Sequence, residues 1–245
     1  MQPGIQISSL KPLLTDAQAL DGVLSALSGF GYRYTQLQWI SKSIAPAEVA
    51  RLLEKHGITA LGSQDKFDEV INDTDYYVSL NRACGCRDVC ISGIPERYEG
   101  AEGLKAYLSD FDALRQRLVL SGMTVSMHPV KNDFRLIDGR PAVYTVLGNL
   151  PVDIVPDTAQ LLKAGIDAPG FINDFAGRIY MIHYKDCVSA DGKMTVVGRG
   201  VVDFEPITRA CRTADVKYLL VEQERWEEDP LVCMKAGLDY IKTLI

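Results

Sequence analysis

Apolar and polar positions switch repeatedly between two periods along this chain. Short runs with strand character occupy Gly4–Ser8, Tyr34–Ile40, Thr59–Ser63, Asp88–Ser92, Thr124–His128, Val152–Pro156, Ile179–Tyr184 and Lys217–Glu222. Their spacing is near the roughly 30 residues of one βα unit, which predicts eight strands with helices between them. In those helices apolar residues recur every three or four positions. Leu20, Val23, Leu24 and Leu27 make one stripe; Leu104, Tyr107, Leu108, Phe111, Leu114 and Leu118 make another before Gly122. Helix ends are marked too. Thr15-Asp16-Ala17-Gln18 has capping-box spacing, Pro46 suits a first turn, and Gly57 suits the left-handed residue that closes that helix after His56. Asp229-Pro230 reads as a cap and first-turn proline ahead of Leu231, Met234, Leu238 and Ile241. Right-handed crossovers joining eight parallel strands close into a single (β/α)8 TIM barrel spanning residues 1–245. An open doubly wound sheet is the alternative, but Gly198-Arg199-Gly200 lacks the third glycine of a dinucleotide fingerprint. Neither a P-loop nor a Gly-x-Ser-x-Gly elbow occurs.

Composition narrows the function classes. A length of 245 residues, 47% hydrophobic and 24% charged, suits one barrel with a full core. A net charge of -6 and a pI near 5.1 argue against a nucleic-acid partner, which needs a basic face. No apolar run approaches the roughly 18 residues of a membrane span. Met1-Gln2-Pro3-Gly4-Ile5 lacks a basic segment and a long apolar stretch, so it reads as the first strand and not as a signal peptide. Cys84-Gly85-Cys86 with Cys90 is the one cysteine cluster, and no second pair completes a thiolate zinc site. Reduced, structural cysteines in a cytoplasmic protein are expected, with Cys84 and Cys86 redox-sensitive if exposed.

The candidate chemistry lies in the second half. Asp157-Thr158-Ala159-Gln160, His183-Tyr184-Lys185-Asp186 and Val221-Glu222-Gln223-Glu224 each follow an apolar strand-like run. Asp157, His183 and Glu222 therefore stand at the carboxyl ends of successive parallel strands, the face where α/β proteins carry their sites. Two carboxylates and an imidazole converging there read as ligands of a divalent cation.

These strings, in this order, resemble the sugar phosphate isomerase/epimerase family with the xylose isomerase-like barrel, over about Gly4 to Ile245. That family carries His-Asn-His-x-Phe-Glu-Phe on its fifth strand, Asp-Thr-x-His on the sixth and His-x-Lys-Asp on the seventh. Val-Gly-x-Gly follows, then Val-Glu-Gln-Asp on the eighth. The matching residues here are Asp157-Thr158-Ala159-Gln160, His183-Tyr184-Lys185-Asp186, Val197-Gly198-Arg199-Gly200 and Val221-Glu222-Gln223-Glu224. The fifth strand departs: in His128-Pro129-Val130-Lys131-Asn132-Asp133-Phe134, Asp133 stands where the family has its metal-binding glutamate. Aspartate is a competent ligand, though shorter by one bond of about 1.5 Å. Gln36, Gln64 and Gln160 also stand where relatives often carry His or Glu.

The resemblance implies a metal site of Asp133, Asp157, His183 and Glu222, holding Mn²⁺ or Mg²⁺ with Zn²⁺ or Co²⁺ as substitutes. It implies a small sugar substrate whose α-proton is removed next to a carbonyl, by way of an enediolate. Glu222 is the candidate base, and His128 or Lys185 the acid. Lys185 and Arg199 would hold an anionic or polyhydroxyl substrate, with Trp39 at the mouth. A metal-dependent isomerase or epimerase is the first expectation. Elimination from a keto-sugar or inosose by the same intermediate, or a non-catalytic sugar-binding barrel, are the alternatives. A DNA-repair endonuclease on this barrel needs a histidine-rich zinc site, which three histidines and an acidic balance exclude. Plainer roles exist for each residue: a helix cap for Asp157, a turn for Asp133, solvated cations for Lys185 and Arg199, mouth or core cover for Trp39 and Trp226. Homo-oligomerisation is left open.

Overall fold

The eight apolar runs become eight parallel strands in a computed structural model that describes residues 1–190 and 192–245. They are β1 (Gln2–Gln6), β2 (Tyr34–Leu37), β3 (Thr59–Lys66), β4 (Asp88–Ser92), β5 (Thr124–His128), β6 (Asp153–Ile154), β7 (Met181–Tyr184) and β8 (Tyr218–Val221). The order β6-β5-β4-β3-β2-β1-β8-β7 is continuous and parallel. Two single-residue bridges, Ile154 to Ile179 and Asp157 to His183, join its ends. The ring is closed, and the protein is a (β/α)8 barrel.

The helices are α1 (Ala17–Phe30), α2 (Pro46–Lys55), α3 (Phe67–Asn72), α4 (Thr74–Ala83), α5 (Gly100–Leu120), α6 (Ala142–Asn149), α7 (Thr158–Lys163), α8 (Ala168–Asp174), α9 (Phe204–Thr213) and α10 (Pro230–Leu244). Their apolar stripes face the sheet: Leu20, Val23, Leu24 and Leu27 of α1 and Leu104, Tyr107, Phe111, Leu114 and Leu118 of α5 are buried. Pro46 and Pro230 open helices in their first turns, and Gly57 and Gly122 have positive φ just beyond α2 and α5. Asp16, not Thr15, caps α1, because its carboxylate reaches the Ala19 amide at 2.9 Å. All six cysteines are free thiols. Among the described residues no helix is long and apolar enough to cross a membrane.

Three strand boundaries differ from the expectation for identifiable reasons. β1 ends at Gln6, where the chain turns into a 3₁₀ segment, Ile7–Leu13, that buries Ile7, Ser8, Ser9 and Leu10. β6 shrinks to two residues because Pro151 and Pro156 remove ladder donors on either side. β2 stops before Trp39, whose φ of 58° is left-handed and costs a bulky residue about 1–2 kcal/mol.

Candidate metal centre at the barrel mouth

Strand periodicity delivers the side chains. Residues two apart point to the same face, so His183 in β7 and Lys185 just beyond it, and Glu222 and Glu224 after β8, all enter the barrel mouth. Asp157 and His183 are bridge partners across the closing seam, and the His183 amide donates to the Pro156 carbonyl at 2.8 Å. His128 ends β5. Ligand atoms of His128, Asp157 and His183 lie within 4.8 Å of one another, and all three residues are buried.

Each side chain is oriented by a second contact. The Asp157 Oδ1 accepts from the Gln160 amide at 2.9 Å and caps α7, while Oδ2 points into the cluster. Capping and site duty are thus divided between the two oxygens of one carboxylate. A ring nitrogen of His128, Nδ1, lies 3.0 Å from the Val155 carbonyl. A carbonyl only accepts, so Nδ1 carries the proton and Nε2 keeps a free lone pair. Burial, with His183 close by, lowers the His128 pKa to about 4, so the ring is neutral at pH 7. Its ring stands 4.7 Å from that of His183, centroid to centroid.

His183 carries the clearest sign of a missing charge. Its Nε2 is 2.7 Å from Gln36 Oε1, an oxygen that also accepts from Gln6 Nε2 at 2.9 Å. The proton therefore sits on Nε2, and the Nδ1 lone pair faces Glu222 Oε2 at 2.8 Å. That pair lacks hydrogen-bond alignment, and Asp157 Oδ2, His183 Nδ1 and Glu222 Oε2 are all buried without a hydrogen-bond partner among the described residues. Metal–ligand bonds of 2.0–2.2 Å put neighbouring ligands about 3 Å apart. The spacing and the unsatisfied acceptors fit a divalent cation.

Lys185 stands beside them. Its Nζ is 3.2 Å from each of Asp157 Oδ2, Glu222 Oε1 and Glu224 Oε2, with its side chain only 3% exposed. Asp157 and Glu222 thus share one nitrogen as neighbour, and their oxygens can be no farther apart than twice that distance. Burial alone would lower the lysine pKa, but the three carboxylates outweigh it and hold the ammonium charged. Burial likewise works to raise Glu222, and the charge of Lys185 overrides it to keep that carboxyl well below the ordinary range. Glu224 goes the other way: burial raises it, against the pull of Lys185. Three carboxylates against one ammonium leave two negative charges uncompensated. A divalent cation would balance them.

Asp133, expected as the fourth ligand, is not brought here. Its carboxylate accepts from the Val130 amide at 2.8 Å and the Ile94 amide at 2.9 Å, tying the β4 and β5 loops together. The first of these is a local turn bond that a glutamate, one bond longer, would not close in the same way. Burial raises its pKa to about 6, against those two amides. Arg199 lies outside as well, pairing with Glu228 at 2.9 Å with both side chains about half exposed. The family-like pair of strings around it is nonetheless explained. Asp186 accepts from the amides of Cys187, Gly198, Gly200 and Val202 at 2.8–3.2 Å, and a Cβ on Gly200 would collide with the Asp186 carboxylate. Trp39 lines a pocket at the rim. His56 pairs with Asp21 at 2.6 Å, far from the mouth on α2's C-terminal end. Sequence reasoning did not single out Glu224 or the Gln6–Gln36 contact; the alternation Glu222-x-Glu224 was the available signal for the former.

Against known proteins, no family model and no curated protein matches the chain. Solved structures do. A sugar phosphate isomerase/epimerase from Parabacteroides distasonis ATCC 8503 superposes with a TM-score of 0.81 at 17% identity, covering 99% of this chain and 98% of that one. The two share the TIM-barrel fold. A probable 3-DHS dehydratase, AsbF, from Bacillus anthracis matches with a TM-score of 0.78 at 13% identity, over 99% of each chain. The IOLI protein, crystallised with a bound zinc atom, matches with a TM-score of 0.78 at 15% identity, over 100% of this chain and 99% of that one.

Proposed function

We propose that this barrel is a divalent-metal-dependent enzyme that removes a proton next to a carbonyl of a small sugar or sugar derivative, isomerisation standing ahead of elimination. The observation that carries the reading is the trio of buried acceptors without a hydrogen bond, His183 Nδ1, Glu222 Oε2 and Asp157 Oδ2, the last in ion-pair range of Lys185, on adjoining strand ends. Fold neighbours that include an isomerase/epimerase and a probable dehydratase support the reaction class.

His183, Asp157 and Glu222 would hold the metal, with His128 Nε2 as the further donor. Two imidazoles among the ligands shift the preference from Mg²⁺ toward Zn²⁺, Co²⁺ or Mn²⁺. A divalent ion held by these residues would supply Lewis-acid polarisation of the carbonyl, which would lower the barrier to losing the α-proton. Lys185, charged and only 3.2 Å from Glu222, adds fixed positive potential where negative charge develops. The sequence suggests Glu222 as both ligand and base. A carboxylate held far below its usual pKa is a poor base, so we assign it to the metal. Glu224, with a raised pKa and 28% of its side chain exposed at the mouth, is the better proton acceptor. His128 at a pKa of about 4 has no proton to spare at neutral pH and serves as a donor atom instead of the acid. One base favours isomerisation or elimination over two-base epimerisation.

Incubation of metal-loaded protein with a panel of aldoses and ketoses in D₂O tests the reading. Deuterium entering the α-position is the expected result, and a conjugated carbonyl product would assign the lyase branch. A metal-loaded protein that exchanges no α-proton of any sugar would favour a binding barrel.

A further inference from the structure

Two glutamines stand where a barrel interior usually holds branched apolar side chains. Gln6 ends β1, Gln36 lies opposite it in β2, and both are fully buried. Each amide has one end engaged and one end idle. Gln6 Nε2 donates to Gln36 Oε1 at 2.9 Å, whereas Gln6 Oε1 and Gln36 Nε2 have no hydrogen-bond partner among the described residues. Burying amides half satisfied is costly, and a pair of leucines would avoid it. What the pair gains is one contact. Gln36 Oε1 lies 2.7 Å from Nε2 of His183 in β7, so Gln36 reaches across the barrel interior past β1 and β8.

For a neutral ring these three side chains have two consistent arrangements. In the one present, a single oxygen with two lone pairs accepts from both neighbours. Gln6 must then donate, His183 must donate from Nε2, and the ring's lone pair lies on Nδ1, 2.8 Å from Glu222 Oε2. Turning both amides over would put the Gln36 NH₂ group in the same place. Its two hydrogens would need acceptors in Gln6 Oε1 and His183 Nε2, and the ring proton would move to Nδ1, where it blocks a metal. The Nδ1–Glu222 pair is not aligned as a hydrogen bond, so the proton is not there.

We propose that Gln6 and Gln36 are positioning residues for the metal centre. Gln6 fixes which end of the Gln36 amide faces the ring, Gln36 holds the ring proton on Nε2, and His183 is left to ligate through Nδ1. Gln6 makes no hydrogen bond to a candidate ligand among the described residues and acts through its neighbour. The proposal rests on the metal reading of the mouth. Groups behind a ligating imidazole hold its orientation and tautomer, and losing one costs about 10–100-fold in metal affinity.

Two isosteric substitutions separate this role from packing and from charge, because Q36E and Q6E each add one carboxylate to the same buried pair. A carboxylate only accepts. The Q36E side chain therefore still turns an oxygen to Gln6 and His183, whereas the Q6E side chain draws the Gln36 NH₂ group toward itself. Calorimetry of Zn²⁺ binding at alkaline pH should give Q36E an affinity at least equal to wild type and Q6E one at least about tenfold weaker. ¹⁵N NMR, to which only three histidines contribute, should place the His183 proton on Nε2 in wild type and Q36E and on Nδ1 in zinc-free Q6E. Equal losses of affinity in both variants mean packing alone, and tighter binding in both means charge alone. Either result overturns the proposal, as does a Q6E protein whose His183 proton stays on Nε2. Should a charged variant not fold, Q6M keeps the volume and removes the donor. Its zinc affinity should fall about threefold or more, with the His183 signal divided between two tautomers; no change in either overturns the proposal. A wild type that takes up no zinc rejects the metal reading, and the zinc-free spectra still decide the role of the pair.

Discussion

Asp157 and His183 are bridge partners across the seam that closes the barrel, so the contact that closes the ring also brings two candidate ligands side by side. The neighbouring β6 is only two residues long, and little other backbone pairing holds that seam. Bound metal should therefore strengthen the barrel at its weakest joint. Saturating Mn²⁺ or Zn²⁺ at about 100 times Kd should add about 2.7 kcal/mol of stability. Thermal melting at graded metal concentration checks this.

Lys185 should be structurally indispensable without metal and less so with it. Lys185→Met leaves the buried Asp157 and Glu222, and the partly exposed Glu224, with no counter-charge, which should cost about 3–5 kcal/mol. Because a divalent ion can supply the missing charge, melting of the variant should respond to metal more strongly than that of the wild type. A variant that is as stable as the wild type in chelator would contradict this.

Asp133→Ala should destabilise the protein by about 2–4 kcal/mol, from two lost charge-assisted bonds to backbone amides. Metal stoichiometry should be untouched. Urea titration and elemental analysis of the same sample separate this capping role from the ligand role that the sequence suggests.

His128 sets a pH dependence whose sign follows from its buried neutral ring. Its pKa is about 4 in the fold against an ordinary 6.5, so between those values the unfolded chain binds more protons. Its contribution is fully present above about pH 6.5 and is lost as pH falls toward 4, a change on the order of 3 kcal/mol. Asp133, raised to about 6, acts in the opposite sense over part of that range. The quantity to measure is thus the difference in stability between wild type and His128→Asn across pH 4.5 to 7.5. It should grow with pH; a flat difference would contradict the assignment.

Glu222→Gln and Glu224→Gln should part company. The first should weaken metal binding and lose activity with it. The second should keep its metal and lose about 10²–10⁴-fold in kcat. Metal content beside single-turnover rates distinguishes them, and a fully active Glu224→Gln protein would return the base role to Glu222.

The barrel was legible in the chain because its signals are local: eight apolar runs at one spacing, two helical stripes, and glycine and proline at helix ends. Asp157, His183 and Glu222 were legible because a strand end fixes where a side chain points. Asp133 was not. Its alignment with a ligand position holds in sequence, but β5 ends at His128 and the chain then turns, so strand geometry no longer governs its direction. The part played by Lys185 and Glu224 was hidden for another reason: a buried lysine among three carboxylates is a relation between three strand ends, and no single segment shows it. Arg199 looked available in sequence, and Glu228, a residue from a different loop, takes it.

The central claim is the metal. Protein purified without added metal, stripped with chelator and then titrated with Zn²⁺ and Mn²⁺, gives the most direct test when its stoichiometry is compared with that of Asp157→Asn and His183→Ala. About one ion per wild-type chain, lost in both variants, is the predicted result. Equal and negligible binding by all three proteins would mean that Lys185 is the only cation the site ever holds, and would contradict the account.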